Sequence, residues 1–257
     1  MNDYQKIFNI ASSAEFDQLA FETFRFQAVH NEVYREWLNS IRIDPGTIRE
    51  VSRIPFLPIS LFKNRDVISS DAPPQGIFLS SGTTAGGRSR HLVADLRLYR
   101  MSFVNGFRFF FGDPEKFQFL ALVPAPDQAI DSSLVYMIRH LMDLSTSPEN
   151  GFFLANFAGL KARLLQKRPQ GHKVMLIGLA YGLLDFAEQH PGNYTGLMVV
   201  ETGGMKGRRE EMIRKELHER LTASMGVEKI HSEYGMTELL SQAWSVGNGM
   251  FRTPPWM

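Results

Sequence analysis

Three short segments hold most of the side chains suited to an anionic ligand. The first runs Phe78-Leu79-Ser80-Ser81-Gly82-Thr83-Thr84-Ala85-Gly86-Gly87-Arg88-Ser89-Arg90-His91, a short apolar stretch entering a loop of small and hydroxyl residues. Glycines let a backbone approach an anion, main-chain N–H groups and Ser/Thr hydroxyls donate to phosphate oxygens, and Arg88 and Arg90 can neutralise charge. The Gly-Lys-Ser/Thr ending of a Walker loop is missing. Taken alone, the segment reads more readily as an ordinary surface loop.

The second segment, His231-Ser232-Glu233-Tyr234-Gly235-Met236-Thr237-Glu238, follows the apolar run 227–230. A turn at a strand end puts such residues near ligand space. Tyr234 can stack on a base, Thr237 can bond a phosphate oxygen, and Glu238 offers the hard oxygen that Mg²⁺ prefers. The plainer alternative has Tyr234 filling core and Glu238 capping a helix. The third segment, Glu201-Thr202-Gly203-Gly204-Met205-Lys206-Gly207, leaves a strand and precedes a charged stretch. Its paired glycines leave room for a planar ring against the backbone, and equally suit a simple strand-to-helix turn.

The elements that must position these segments follow from the apolar periodicity. Mixed three and four spacings over 13–43 predict two helices, and the prolines of Ile54-Pro55-Phe56-Leu57-Pro58 predict an extended, buried connector. Beyond Pro74, short apolar runs at 77–79, 117–123, 151–155, 173–177 and 197–200 read as strands. Helical patterns at 94–110, 131–144, 160–166, 181–189 and 206–225 alternate with them. Strands alternating with crossover helices predict an α/β fold, a largely parallel sheet with helices on both faces and ligands at the carboxyl ends of the strands.

Composition narrows the function classes. With 28 basic against 27 acidic residues, the net charge is +1, so no long-range field draws nucleic acid or an anionic membrane. There is no cysteine, which removes disulfides, thiolate zinc sites and a cysteine nucleophile from the visible chain. No apolar run reaches the length of a membrane span, the first residues have no secretory pattern, and a cytoplasmic protein is expected. His231-x-Glu233 has the spacing of a deaminase zinc ligand and its shuttle, but the cysteine pair such a site needs is absent. Ser60-Leu61-Phe62-Lys63 fits the Ser-x-x-Lys pattern of penicillin-binding enzymes without the accompanying motifs. The aromatic run Phe107, Phe109, Phe110 and Phe111 could line an acyl pocket, but core packing of a helix end is the more common use of such a run, and it is not assigned to substrate.

In their order along the chain, the three segments resemble the core motifs of the adenylate-forming superfamily of acyl-CoA synthetases. The first is similar to its Ser-Gly-Thr-Thr-Gly-x-Pro-Lys-Gly signature from Ser81 onward. The last is similar to Tyr-Gly-x-Thr-Glu at all four fixed positions. The connector, the Ser-Arg-His ending of the loop and the Gly-Gly-x-Lys turn look most like acyl-protein synthetases of the bacterial luminescence LuxE type, then phenylacetate-CoA ligases. Ala85, Gly87 and Arg88 stand where the signature has glycine, proline and lysine.

The resemblance implies the large N-terminal domain of adenylate-forming enzymes, with an N-terminal helical region over 1–53 packed on an AMP-binding α/β core over 54–257. It also implies a ribose-gripping aspartate and a C-terminal lid domain beyond Met257, and the chain reads as truncated before them. The implied cofactors are ATP and Mg²⁺. Ser81, Gly82, Thr83 and Thr84 would cradle phosphates, Gly203 and Gly204 would flank adenine, and Tyr234 and Gly235 would pack on it. Thr237 would serve the α-phosphate, Glu238 the metal, and Arg88 the spreading phosphate charge. The implied reaction is attack of a carboxylate on the α-phosphate of ATP, giving an acyl-adenylate for transfer to coenzyme A or to a carrier or protein thiol. A nucleotide- or acyl-binding protein that keeps this core without turnover is the alternative.

Overall fold

The computed structural model describes residues 4–81, 87–166, 171–247 and 249–257. The central sheet begins with β3 (Phe117–Leu122), whose six residues are all buried, and β5 (Lys173–Leu179), buried from its second residue onward. Successive strand side chains point to opposite faces, so an unbroken buried run means that both faces are covered. This is the α/β sheet the periodicity predicts. Its order is β4 (Gly151–Phe152), β3, β5, β6 (Met198–Thr202), β7 (Ile230–Tyr234) and β8 (Ala243–Ser245). The pairs from β4 through β7 are parallel, and β8 runs antiparallel at the edge.

Helices cross between the parallel strands, as parallel pairing requires. They are α6 (Ser133–Leu144), α7 (Phe157–Leu165), α8 (Ala180–Gln189) and α9 (Arg214–Met225). Side-chain caps fix the starts of two: Ser132 accepts from the Val135 amide at 3.3 Å and Asn156 from the Gly159 amide at 2.8 Å. Before the sheet, α5 (Leu96–Phe111) is capped by Asp95 and ends at Gly112, whose φ of 93° a residue with a side chain would strain to adopt. It sends Tyr99, Phe103 and Phe107 into the main core, with Phe107 fully buried against Phe117 and Phe119.

The N-terminal third is built differently. The two helices foreseen over 13–43 are α2 (Ser13–His30) and α3 (Glu32–Ser40), following a short α1 (Gln5–Phe8) and followed by a single turn, α4 (Leu61–Asn64). Phe24, Ala28, Tyr34, Leu38 and Ile48 form a hydrophobic cluster of their own, separate from the core under the sheet.

Three local expectations are corrected. The connector 54–58 has no regular secondary structure and is only partly buried: Ile54 and Leu57 pack against the N-terminal cluster while Phe56 is 87% exposed. The helix expected from 206 starts only at Arg214, because Gly203, Lys206 and Gly207 all take left-handed conformations with φ of 67°, 50° and 69°. The segment before it is instead tied to α8, where Arg209 pairs with Asp185 and Glu188. The stretch after Gly87 is not all loop either. β1 (Gly76–Leu79) pairs antiparallel with β2 (Arg90–Val93), making a separate two-stranded sheet that holds the loop between them.

Candidate functional site

Parallel pairing of β6 and β7 puts two of the three segments side by side. Thr202 is the register partner of Glu233, so the chain leaves the sheet at Gly203 on one strand and at Gly235, just after Tyr234, on the next, both at carboxyl ends. Gly203, Gly204 and Gly235 are exposed, Tyr234 is 45% exposed, and Thr237 and Glu238 are half-buried in a turn. Glu238 therefore caps no helix.

The first segment, the hydroxyl-rich loop, arrives through the hairpin. His91 of β2 reaches the Thr237 carbonyl with its Nδ1 at 2.7 Å, a link between residues 146 apart in sequence. A carbonyl can only accept, so the imidazole carries its proton on Nδ1. Burial lowers the His91 pKa, against the Thr237 bond and the Glu238 charge, which both raise it. The ring also packs edge-on against Phe62 at 5.7 Å. This neutral histidine thus ties the strand that closes the hydroxyl-rich loop to the turn bearing Thr237 and Glu238.

Within the loop, Ser81 is exposed and Arg88 lies at the neck. Gly82, Thr83 and Thr84, with Ala85 and Gly86, lie outside the described residues. Arg88 donates from Nε to the Ser80 carbonyl at 2.5 Å and pairs from Nη1 with Asp131 at 3.0 Å. The Ser89 amide donates to Ser80 Oγ at 2.9 Å, and the Ser80 amide to the Ser89 carbonyl at 3.0 Å. Here Arg88 braces the base of the loop.

Beneath the turns lie two buried carboxyls: Glu201, which sequence reasoning assigned no role, and Glu233, which it weighed only in the rejected deaminase pattern. Glu233, 6% exposed, accepts a hydrogen bond from the Thr202 hydroxyl. Burial is the main influence and pushes its carboxyl up to about 7; the Thr202 bond opposes this and the Glu201 charge adds to it. Its Oε1 lies 2.6 Å from where a Cβ on Gly235 would sit, so only glycine fits there without a shift. Glu201, 2% exposed, points to the opposite face and accepts from Arg214 Nε at 2.9 Å. His218 Nε2 lies 3.4 Å from Glu201 and 3.3 Å from Ser232 Oγ. Burial would raise the Glu201 carboxyl, but bonds from His218, Ser232 and Arg214, with the Arg214 charge, hold it below the usual range. The available signal was an acid ending the apolar run Met198-Val199-Val200, since a buried carboxyl demands a partner.

Among the described residues there is no group of three or more His, Asp or Glu that could hold a metal, and no helix long and apolar enough to cross a membrane.

No protein-family model matches the chain, and no curated protein does. Solved structures do. A 2-hydroxyisobutyryl-CoA ligase in its postadenylation state, in complex with 2-HIB-AMP, aligns with a TM-score of 0.64 at 13% identity, over 95% of this chain and 51% of that one. The same ligase in an open conformation, in complex with 2-HIB-AMP and CoA, gives 0.61 at 13% identity, over 95% and 58%. This chain therefore spans little more than half the length of those proteins. At such identity the likeness is one of fold alone.

Proposed function

We propose that this chain binds ATP at the carboxyl ends of β6 and β7 and activates a carboxylic acid as its acyl-adenylate. A carboxylate oxygen attacks the α-phosphorus, the bond to the bridging oxygen breaks, and pyrophosphate leaves. The observation that carries the reading is the His91–Thr237 hydrogen bond, which brings the hairpin of the hydroxyl-rich loop against the Thr237–Glu238 turn. The register of β6 and β7 then sets the double-glycine turn beside Tyr234. The likeness in fold to a ligase crystallised with an acyl-adenylate supports the same reading.

In this reading Tyr234 and the Gly203-Gly204 backbone take the adenine ring, while Ser81, Thr83 and Thr84 take the phosphates. The residues fit Mg²⁺ in the manner usual for it, one or two protein oxygens completed by phosphate and water rather than a protein cage. Glu238 would hold the ion, which would supply charge neutralisation on the phosphates. No protein nucleophile is required for adenylation, so this chain's task is alignment and electrostatics. The acyl acceptor we propose is a thiol, on coenzyme A or a carrier protein.

Carboxylate-dependent ATP–pyrophosphate exchange across a panel of short, long and aromatic acids tests the assignment. Glu238→Gln is expected to lower exchange by about two orders of magnitude with an unchanged melting temperature, since it removes the anionic ligand and keeps the shape. Exchange at the wild-type rate in that variant would overturn the role of Glu238. A second reading, binding without turnover, draws on Arg88, which is engaged with Asp131 and the Ser80 carbonyl. Calorimetric ATP binding without exchange for any acid would favour it.

A further inference from the structure

Phe251 comes from the segment after β8, far in sequence from the double-glycine turn, yet it packs against the tyrosine ring of the candidate site. Its ring centroid lies 5.9 Å from that of Tyr234 at an interplanar angle of 64°, an edge-on arrangement. Its backbone is held by an antiparallel bridge next to it, with Trp244 and Arg252 exchanging hydrogen bonds of 3.0 and 2.9 Å. The Arg214 guanidinium lies over the same ring, 4.7 Å from its centroid. Arg214 is fixed in turn by the Glu201 carboxylate, 2% exposed and directly before Thr202-Gly203-Gly204. Glu201, Arg214, Phe251 and Tyr234 therefore form one chain of contacts. It starts under the double-glycine turn and ends on the half-exposed tyrosine.

We propose that Phe251 and Arg214 are positioning residues that fix the Tyr234 ring and thereby set how strongly the site prefers a base-bearing nucleotide over phosphate alone. The inference rests on the nucleotide reading above. An aromatic side chain at a strand end has several staggered positions open to it, and a ring held in one of them stacks on a ligand without being ordered at the moment of binding. Phe251 supplies the holding wall, through the edge-to-face preference of aromatic pairs. Arg214 keeps Phe251 in place by a cation–π contact whose cation, itself half-exposed, is held by the buried Glu201 carboxylate. Neither residue needs to touch the phosphates, so the effect belongs to the base.

The test compares ATP with inorganic tripolyphosphate, both with Mg²⁺, by calorimetry on the full chain and on Phe251→Ala, Phe251→Tyr and Arg214→Lys. Phe251→Ala is expected to weaken ATP about five- to tenfold and leave tripolyphosphate unchanged, because the lost contact acts only through Tyr234. Phe251→Tyr, which retains the ring edge, is expected to bind ATP as the wild type does, and Arg214→Lys to fall between the two. Wild-type ATP affinity in Phe251→Ala overturns the inference. So does an equal loss of both ligands, which would mark a merely structural role. A wild-type chain that binds neither ligand overturns the nucleotide reading itself, an outcome distinct from the other two.

Discussion

Glu233 and Glu201 lie on neighbouring strands and on opposite faces of the sheet; burial raises both, and their partners send the net shifts in opposite directions. Glu201 has Arg214 and His218 beside it and stays charged below the ordinary carboxylate range. Glu233 is bonded by the Thr202 hydroxyl and is pushed from the usual value near 4.5 up to about 7. A folded-state pKa above the unfolded value means that the native form holds the extra proton. Its stabilising effect is full below about pH 4.5 and is lost as the pH rises through about 7. The difference is worth on the order of 3 kcal/mol across that window. His231 runs the other way: burial first, then Lys229 and His218, lower it to about 4, so its contribution is full above pH 6.5 and lost on acidification. The two slopes oppose, so the measurement must be differential. Denaturant unfolding of wild type and Glu233→Gln from pH 4.5 to 8 should show the variant gaining on the wild type as the pH rises. Parallel curves would mean that Glu233 titrates in the folded protein as it does in the unfolded one.

At the scale of elements, the His91 imidazole holds the hairpin to the sheet's end, and its removal should be felt at the site. Replacing His91 with Phe keeps a ring against Phe62 and deletes the donor to Thr237. A lost hydrogen bond of this kind is worth about 0.5–1.5 kcal/mol, so ATP affinity should fall a few-fold to tenfold. The His91→Asn substitution puts an amide N–H near the position of Nδ1 and should restore most of it. Calorimetry that finds equal affinity in all three proteins would remove the hairpin from the site. This same hairpin marks where sequence reading stops. β3 and β5 are legible because strands buried on both faces are continuous apolar runs. β2 and β8, four and three residues long, exist through pairing and leave no periodic trace. The chemistry of Tyr234, Thr237 and Glu238 is legible in their types and order. The Thr202–Glu233 and His91–Thr237 contacts are not, because each depends on a register or a turn that only the assembled sheet supplies.

Across the whole molecule, apolar burial falls into two clusters, one under the sheet and one between α2, α3 and Ile48. Sequence periodicity gives the helices of the smaller cluster but not its separateness from the larger one, since amphipathic spacing says which face is buried and not against what. The separation has a thermodynamic consequence. Leu38 is 1% exposed within the smaller cluster, and Leu120 is fully buried within the larger. Truncating either to Ala should cost about 2–5 kcal/mol, from lost transfer energy and the cavity left behind. The costs should be distributed differently. If the clusters open independently, Leu38→Ala lowers the free energy of opening for amides in α2 and α3 and leaves those of β3, β5 and β6 near wild-type values. Leu120→Ala should lower protection throughout the sheet, because β3 is an interior strand, paired with β4 on one side and β5 on the other. Native-state hydrogen exchange at residue resolution reads both outcomes on the full chain. A uniform loss of protection in Leu38→Ala would mean that the N-terminal helices and the sheet open as one cooperative unit, and that residues 1–53 are part of the same folding domain as the rest.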